Sequence, residues 1–203
     1  MIYRIINLSH SMFDKELYQK AYNAMSPERK AKADRYKQEA DKRSCVFADM
    51  LLREMLRDNC SVTEPEFYTD VNGKPQLTGD KVHFSISHSG EFVACAVNFA
   101  PVGIDIEKIR TVEFSLIQRV CTEEELCFVL NADSSVDKSA CERFLKVWCA
   151  KEAYLKYTGE GLKGGLKSIS VADKTGIKEN PLPHIKLELM GTEEYVGALI
   201  TEI

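Results

Sequence analysis

The sequence lacks the patterns that mark membrane-spanning, secreted and zinc-binding chains. It has no run of about 18 apolar residues, and it does not open on a basic stretch followed by an apolar one. Its seven cysteines are odd in number and include no C-x-x-C pair. We interpret them as reduced residues that pack in the core, and we expect a cytoplasmic chain with no membrane partner.

Several catalytic signatures are missing as well. The chain contains no Walker loop, no G-x-S-x-G around a nucleophilic serine and no H-E-x-x-H. Its 31 acidic and 27 basic residues leave a net charge of -4, which gives no support for a nucleic-acid partner. What remains is an ordinary globular composition, 44% hydrophobic and 29% charged over 203 residues. That length suits one large domain or two small ones.

The predicted elements occur twice in the same order, at an offset of about 100 residues. An apolar helix from about 44 to 57 precedes two strands that turn at Ser89-Gly90. A long helix from about 140 to 158 precedes two strands between 184 and 201. This order favours a duplicated subdomain, and chance similarity between two α+β segments is the alternative. We place the two halves at 1–102 and 103–203.

The segment G-I-D-I-E lies on a predicted strand from 102 to 109. Because successive side chains of a strand point to opposite faces, Asp105 and Glu107 share one face. Two neighbouring carboxylates repel each other unless a cation lies between them, and oxygen ligands favour a hard ion such as magnesium. A solvated strand face is the alternative interpretation.

Glu152 lies on the second long helix. At about 100° per residue it falls on the apolar face of Leu145, Trp148 and Leu155. A carboxylate there is costly unless it is paired, protonated or bound to metal. Lys156 follows at i+4, so an ordinary Glu–Lys pair at the edge of the core is the alternative.

The segment S-I-S-H-S-G, residues 85–90, concentrates hydroxyls and an imidazole at the end of a predicted hairpin. Such groups, together with the backbone of the turn, suit an anionic ligand such as phosphate. A plain polar turn is the alternative. Basic residues also cluster between 29 and 43, and we interpret most of them as solvated surface, with a few available to phosphate.

Taken in order, these motifs resemble the 4'-phosphopantetheinyl transferases of the Sfp type. The resemblance is carried by S-x-S-H-S-G, G-I-D-I-E and W-C-x-K-E-A-x-x-K, followed by Gly159 and Gly161-Leu162. Upstream it extends to Ser26-Pro27-Glu28, to Tyr36 through Arg43-Ser44 and to Gly73-Lys74-Pro75. It covers most of the chain from about 26 to 165.

The resemblance implies an α+β fold built as a pseudo-dimer of two similar subdomains. Each would be a small, mainly antiparallel sheet packed on a long helix, with the active site and coenzyme A in the cleft between them. It also implies a magnesium-dependent enzyme that transfers 4'-phosphopantetheine from coenzyme A to a serine of an acyl or peptidyl carrier protein. The by-product would be adenosine 3',5'-bisphosphate, and we expect the enzyme to be a monomer.

The resemblance also assigns roles to residues. Asp105, Glu107 and Glu152 would hold magnesium, Glu152 would be the general base for the carrier serine, directly or through water, and Lys156 would neutralise charge on the phosphates. The remaining contacts to the phosphates and the nucleotide would come from Arg43, Ser44, Lys74, Ser87 and His88, with His88 at the 3'-phosphate.

Some segments depart from the family pattern. Arg29 and Lys32 lie where relatives place lysines near the 3'-phosphate, although the spacing from Ser26 to Tyr36 is one residue shorter than the pattern. An apolar edge at Phe114, Leu116 and Ile117 would either dock the carrier or pack in the core. Two other functions stay open: a magnesium-dependent phosphoesterase that uses the same carboxylates, and a non-catalytic module that binds coenzyme A or a carrier.

Overall fold

The structure, a computed structural model, describes residues 1–10, 12–79, 81–130, 136–161 and 165–203. The helices in these ranges are α1 (Lys15–Ala24), α2 (Pro27–Ala33), α3 (Glu39–Cys60), α4 (Phe114–Val120), α5 (Glu123–Leu130) and α6 (Lys138–Thr158). The strands are β1 (Ile2–Asn7), β2 (Phe67–Thr69), β3 (Pro75–Leu77), β4 (His83–Ser89), β5 (Phe92–Asn98), β6 (Val102–Lys108), β7 (Ala172–Asp173), β8 (Gly176–Ile177), β9 (Ile185–Gly191) and β10 (Tyr195–Glu202). This mixture of helices and small antiparallel sheets confirms the predicted α+β class.

Two three-stranded antiparallel sheets form the framework, and they share one strand order. The first sheet runs β1-β5-β4 and the second runs β6-β10-β9. In each, a strand that precedes a long helix pairs with the second strand of a hairpin that follows the helix. The order of elements predicted twice from the sequence is therefore found twice.

The two long helices cover these sheets with their apolar faces. Phe47, Leu51 and Met55 of α3 belong to one buried cluster with β4 and β5 residues. The buried face of α6, including Phe144, packs in a second cluster with β9 and β10 residues. Most cysteines are buried, as predicted, whereas Cys127 is exposed and the prediction is wrong for it.

Strand β6 lies between α6 and the first sheet. A Cβ added at Gly103 would come within 1.9 Å of the Ala153 carbonyl oxygen, so α6 contacts the bare backbone of β6. On the other side, Ile104 and Ile106 pack with Phe92 and other residues of β5. This close packing fixes the carboxylates of β6 relative to α6.

Local sequence signals explain where several helices begin. Ser26 caps α2 and Pro27 is its first residue, a pair that is typical of a helix start. The helical stretch between 114 and 130 is divided into α4 and α5, because the Thr122 hydroxyl accepts a hydrogen bond from Glu125 N while the Glu125 carboxylate accepts one from Thr122 N. This capping box starts α5 afresh. In the described residues, no helix combines the length and the apolar character needed to cross a membrane.

Candidate active site

Asp105 lies on β6 at the centre of a polar cluster, and only 5% of its surface is exposed to solvent. Its Oδ1 accepts a hydrogen bond from the Ser87 hydroxyl at 2.7 Å and lies 2.7 Å from Lys156 Nζ. Its Oδ2 is buried and has no hydrogen-bond partner among the described residues. The alternative of a solvated strand face is therefore wrong for Asp105.

Glu107 projects from the same face of β6 and is held by the next serine of β4. The Ser89 hydroxyl donates to Glu107 Oε2 at 2.7 Å, and Arg110 lies 3.9 Å from the same oxygen. Burial raises the pKa of Glu107, and the negative charge of Asp105 adds to the increase, while Ser89 and Arg110 oppose it. Glu107 is therefore a carboxylate whose charge is only partly compensated.

Glu152 reaches the cluster from α6. Burial raises the pKa of its carboxyl, and Asp105 raises it further, whereas Lys156 acts in the opposite direction. The ion pair that Lys156 forms in the described residues is with Asp105, so the alternative of a simple Glu152–Lys156 helix pair does not occur. Lys156 instead joins α6 to β6.

The donor set fits a hard divalent cation. Asp105, Glu107 and Glu152 offer only carboxylate oxygens, and Asp105 Oδ2 is a buried acceptor to which no described residue donates. In the part of the chain that the structure describes, no three acidic, histidine or cysteine side chains already form a close metal-binding group. A metal ion held by Asp105, Glu107 and Glu152 would therefore draw these side chains closer together, beside the positive charge that Lys156 supplies to Asp105.

A mixed cavity of about 290 Å³ opens beside Glu152. Pro75, Phe84 and Leu155 contribute apolar surface, while Lys74 and Lys156 contribute positive charge. Its lining comes from α2, the β2–β3 hairpin, β4, the end of α6 and Gly161, so both halves of the sequence build it. We call this space the mixed cavity.

A second space, of about 220 Å³, adjoins Lys156. We call it the cation-lined cavity, and its lining includes Arg29, Lys32, Tyr36, Cys45, Ser87, His88 and Lys156. Burial lowers the pKa of His88, and the nearby Lys156 charge lowers it further. Burial also lowers the pKa of Lys32, as does the charge of Arg29. A concave site with this concentration of basic groups suits a phosphate.

Two of the residues predicted to bind coenzyme A make contacts within the protein. Lys74 Nζ donates to the Lys156 carbonyl oxygen at 2.5 Å, which ties the β2–β3 turn to the end of α6. The Ser87 hydroxyl donates to Asp105 although Ser87 also lines the cation-lined cavity. Ser87 therefore orients a carboxylate and forms part of the cavity wall at once.

The structure does not bring Arg43 or Ser44 to either cavity. The Arg43 guanidinium donates to the Leu8 and Phe13 carbonyl oxygens at 2.6 Å, and it lines a separate groove near the start of α3. Ser44 is buried, and its hydroxyl donates to the Gly90 carbonyl oxygen at 3.3 Å. Cys45, the next residue of α3, lines the cation-lined cavity instead, because one residue turns a helix by about 100°.

The apolar edge predicted around 114–117 is largely core. Ile117 is fully buried, Leu116 packs partly against the same core, and Phe114 is 44% exposed. At the other end of the motif series, Gly159 ends α6 in the left-handed conformation with φ 76°. Gly161 lines the mixed cavity, whereas Leu162 lies outside the described residues.

Comparisons with known proteins match both halves of the chain. A sequence profile described as "4'-phosphopantetheinyl transferase, N-terminal" matches residues 13–100. A profile of the 4'-phosphopantetheinyl transferase superfamily matches residues 101–194, which include all three carboxylates of the cluster. The chain belongs to the 4'-phosphopantetheinyl transferase superfamily, as a member of the Sfp type.

Characterised members give the extent of the likeness. The chain is 32% identical to 4'-phosphopantetheinyl transferase psf-1 of Bacillus pumilus over 149 residues, which is 72% of this chain and 63% of that protein. It is 31% identical to 4'-phosphopantetheinyl transferase Sfp of Bacillus subtilis (strain 168) over 150 residues, 72% of this chain and 66% of that protein. It is 29% identical to 4'-phosphopantetheinyl transferase gsp of Aneurinibacillus migulanus, over 73% of this chain and 62% of that protein. The chain thus spans somewhat less than two thirds of these superfamily members.

Proposed function

We propose that this superfamily member transfers 4'-phosphopantetheine from coenzyme A to a serine of an acyl or peptidyl carrier protein. The observation that carries the proposal is the buried Oδ2 of Asp105, which has no hydrogen-bond partner among the described residues and lies in a carboxylate cluster beside two cavities lined by lysines. The negative carboxylates match a divalent cation, and the positive lysines match a substrate that carries several phosphates. The names of the relatives support the same reaction.

We further propose that residues 1–102 and 103–203 are the two halves of a pseudo-dimer. The identical strand order of the two sheets supports this division. The mixed cavity is lined by Lys74 and Phe84 of the first half and by Glu152 and Gly161 of the second. Coenzyme A would lie in this cleft, and because one chain supplies both walls, the enzyme would act as a monomer.

In this proposal, Asp105, Glu107 and Glu152 hold magnesium. When bound, the ion would offset the negative charge of the coenzyme A pyrophosphate and stabilise charge on the transferring phosphoryl group. The protein's own contribution is to hold the carboxylates in place: Ser87 donates to Asp105 and Ser89 donates to Glu107. These bonds fix the carboxylates before any ligand arrives.

Glu152 is the proposed general base. Its raised pKa makes it a better proton acceptor than an exposed carboxylate, and it lines the mixed cavity where the substrate would lie. The serine hydroxyl of the carrier would lose its proton to Glu152 while its oxygen bonds to the phosphorus that bears pantetheine. The pyrophosphate P–O bond breaks, and adenosine 3',5'-bisphosphate leaves with negative charge that Lys156 stabilises.

The cation-lined cavity is the proposed place of the 3'-phosphate. Arg29, Lys32 and His88 converge there, and Lys156 lines both cavities. A ligand that carries a pyrophosphate and a separate 3'-phosphate would engage both spaces at once. This arrangement favours coenzyme A over a nucleotide without the 3'-phosphate.

Mass spectrometry of a carrier tests the reaction directly. The protein is incubated with apo carrier proteins, coenzyme A and magnesium, and a mass increase of one phosphopantetheine group on a carrier is expected. A panel of fatty-acid, polyketide and peptide-synthesis carriers covers the partner classes. Steady hydrolysis of coenzyme A without any carrier would instead indicate a phosphoesterase, and tight calorimetric binding of coenzyme A without transfer would indicate a non-catalytic module.

A further inference from the structure

Asp49 is a buried carboxylate on α3, behind the cation-lined cavity, and its side chain is 1% exposed. Arg29 Nε of α2 lies 3.0 Å from Oδ1, and Arg53 Nε, one turn further along α3, lies 2.7 Å from Oδ2. Each oxygen is thus paired with a different arginine. Charge-assisted hydrogen bonds of this kind compensate a buried carboxylate for its lost hydration.

The two arginines face different surroundings. The Arg29 side chain is 11% exposed and lines the cation-lined cavity. The guanidinium carbon of Arg53 lies 5.5 Å from the centroid of the Phe67 ring, outside that cavity. Because two guanidinium charges share one carboxylate, a positive charge remains on the group. Arg53 therefore neutralises part of the negative charge of Asp49. The positive charge of Arg29 is then only partly neutralised where Arg29 faces the cavity.

The contact through Nε also sets the direction of the Arg29 side chain. A guanidinium is planar and carries five donors in a rigid fork. Once Nε–H donates to Asp49 Oδ1, rotation of the guanidinium is restricted while Arg29 lines the cation-lined cavity. The terminal nitrogens of this guanidinium make no hydrogen bond with the described residues, so they are available to a ligand.

We propose that Asp49 is a positioning residue that holds the Arg29 guanidinium toward the 3'-phosphate of coenzyme A. Asp49 does not contact the ligand and acts only through Arg29. Because Arg53 also pairs with Asp49, Asp49 does not cancel the whole positive charge of Arg29. The inference rests on the proposed function, because that function supplies the phosphate. It adds a determinant of specificity for 3'-phosphorylated substrates that lies outside the cavity wall.

The test compares two nucleotides on the full chain. Asp49→Asn keeps the size of the side chain but turns one acceptor into a donor, so one arginine contact is lost. We expect the calorimetric Kd for adenosine 3',5'-bisphosphate to rise about tenfold or more, and the Kd for adenosine 5'-monophosphate to change less than about twofold. In the transfer assay, KM for coenzyme A rises while kcat stays within about twofold. Asp58→Asn is the control, since Asp58 is paired with Arg57 Nε at 2.8 Å in an exposed position.

A merely structural role gives a different result. It would lower thermal stability and weaken both nucleotides equally, and either that pattern or an unchanged affinity in Asp49→Asn overturns the proposal. Binding of neither nucleotide by the unmodified protein overturns the proposed function and this inference with it.

Arg29→Lys is a second variant that leaves Asp49 in place. Lysine keeps the positive charge but lacks the planar set of donors through which one guanidinium can contact Asp49 and a phosphate at the same time. We expect the preference for the bisphosphate over the monophosphate to shrink about tenfold, as in Asp49→Asn. A preference that survives in Arg29→Lys shows that guanidinium orientation is not needed and overturns the proposal.

Discussion

Lys156 Nζ lies 2.7 Å from Asp105 Oδ1 although the two residues are 51 positions apart in sequence. The pair joins the end of α6 to the middle of β6. Because Lys156 also lines both cavities, one ammonium faces the carboxylate cluster and the spaces proposed for phosphate. Its charge can therefore balance the acids before the substrate binds and the phosphates afterwards.

The first prediction concerns the carboxylate partner of this pair. Asp105→Ala is expected to lower carrier modification at least about 100-fold, because it removes a proposed metal ligand. The chain should stay folded, since the change also removes a buried oxygen that has no hydrogen-bond partner in the described residues. Mass spectrometry of the carrier measures the first effect and urea unfolding measures the second. Asp58→Ala, an exposed position, is the control, and transfer at the normal rate in Asp105→Ala would remove Asp105 from the site.

The second prediction concerns pH and His88. Burial and Lys156 lower the pKa of His88, so its imidazole holds a proton less readily in the free protein than an exposed histidine does. A bound 3'-phosphate favours the protonated form and raises that pKa, so binding is accompanied by proton uptake. The affinity for adenosine 3',5'-bisphosphate relative to the His88→Gln variant should therefore increase as the pH falls from about 8 to about 6.

Comparison with the variant is essential here, because phosphate itself takes up a proton near pH 6. Calorimetry in buffers of different ionisation enthalpy counts the protons taken up. His10→Gln serves as the control, since His10 is exposed. Equal pH dependence in the unmodified protein and in His88→Gln would exclude His88 from the phosphate site.

The carboxylate cluster shows which parts of a site can be predicted from sequence. The two-residue period of a strand places Asp105 and Glu107 on one face, and the helical period places Glu152 near the apolar face of α6. The strand face and the helix face meet because Gly103 has no side chain, so α6 can contact the backbone of β6. No local pattern states which strand a helix will pack against, so only the family resemblance joined the three residues in advance.

The start of α3 shows how finely a helical site depends on register. The family resemblance assigns Arg43 and Ser44 to the nucleotide, and in the structure the next residue, Cys45, lines the cation-lined cavity. Neighbouring helical residues point about 100° apart, so an error of one residue exchanges a cavity position for a core position. The capping box of Thr122 and Glu125, by contrast, is a T-x-x-E pattern that the sequence displays.

The third prediction tests the contact between β6 and α6. A Cβ at Gly103 would lie 1.9 Å from the Ala153 carbonyl oxygen and 2.7 Å from Tyr157 N, and helical backbone cannot yield as a side chain can. Gly103→Ala is expected to lower the free energy of unfolding by about 3 kcal/mol, the upper end of the cost of overpacking. Urea unfolding provides the measurement.

Gly79→Ala separates this steric effect from backbone strain. Gly79 has φ 73° and nothing within 4 Å of an added Cβ, so only the conformational cost of about 1 kcal/mol is expected. If Gly103→Ala and Gly79→Ala lower the free energy of unfolding equally, α6 does not pack closely against the backbone of β6.

The last prediction concerns a buried ion pair next to the proposed base. Lys151 and Glu125 both have side chains that are 0% exposed, and Lys151 Nζ lies 2.8 Å from Glu125 Oε2. The same ammonium donates to the Leu166 and Ile169 carbonyl oxygens at 2.6 and 2.9 Å. The Glu125 carboxylate also accepts from Val171 N at 2.8 Å. The pair therefore joins α5, α6 and the segment that follows residue 165.

Removing one member leaves the other charge buried without an opposite charge beside it. Lys151→Met is expected to lower the free energy of unfolding by about 3–5 kcal/mol, whereas the double variant with Glu125→Gln should recover part of that loss, because it removes the remaining charge and keeps an acceptor oxygen. Lys108→Met breaks an exposed pair with Glu91 at 2.9 Å and should cost less than about 1 kcal/mol. Urea unfolding of the four proteins gives these differences. A Lys151→Met variant as stable as Lys108→Met would show that this buried pair does not hold the three segments together.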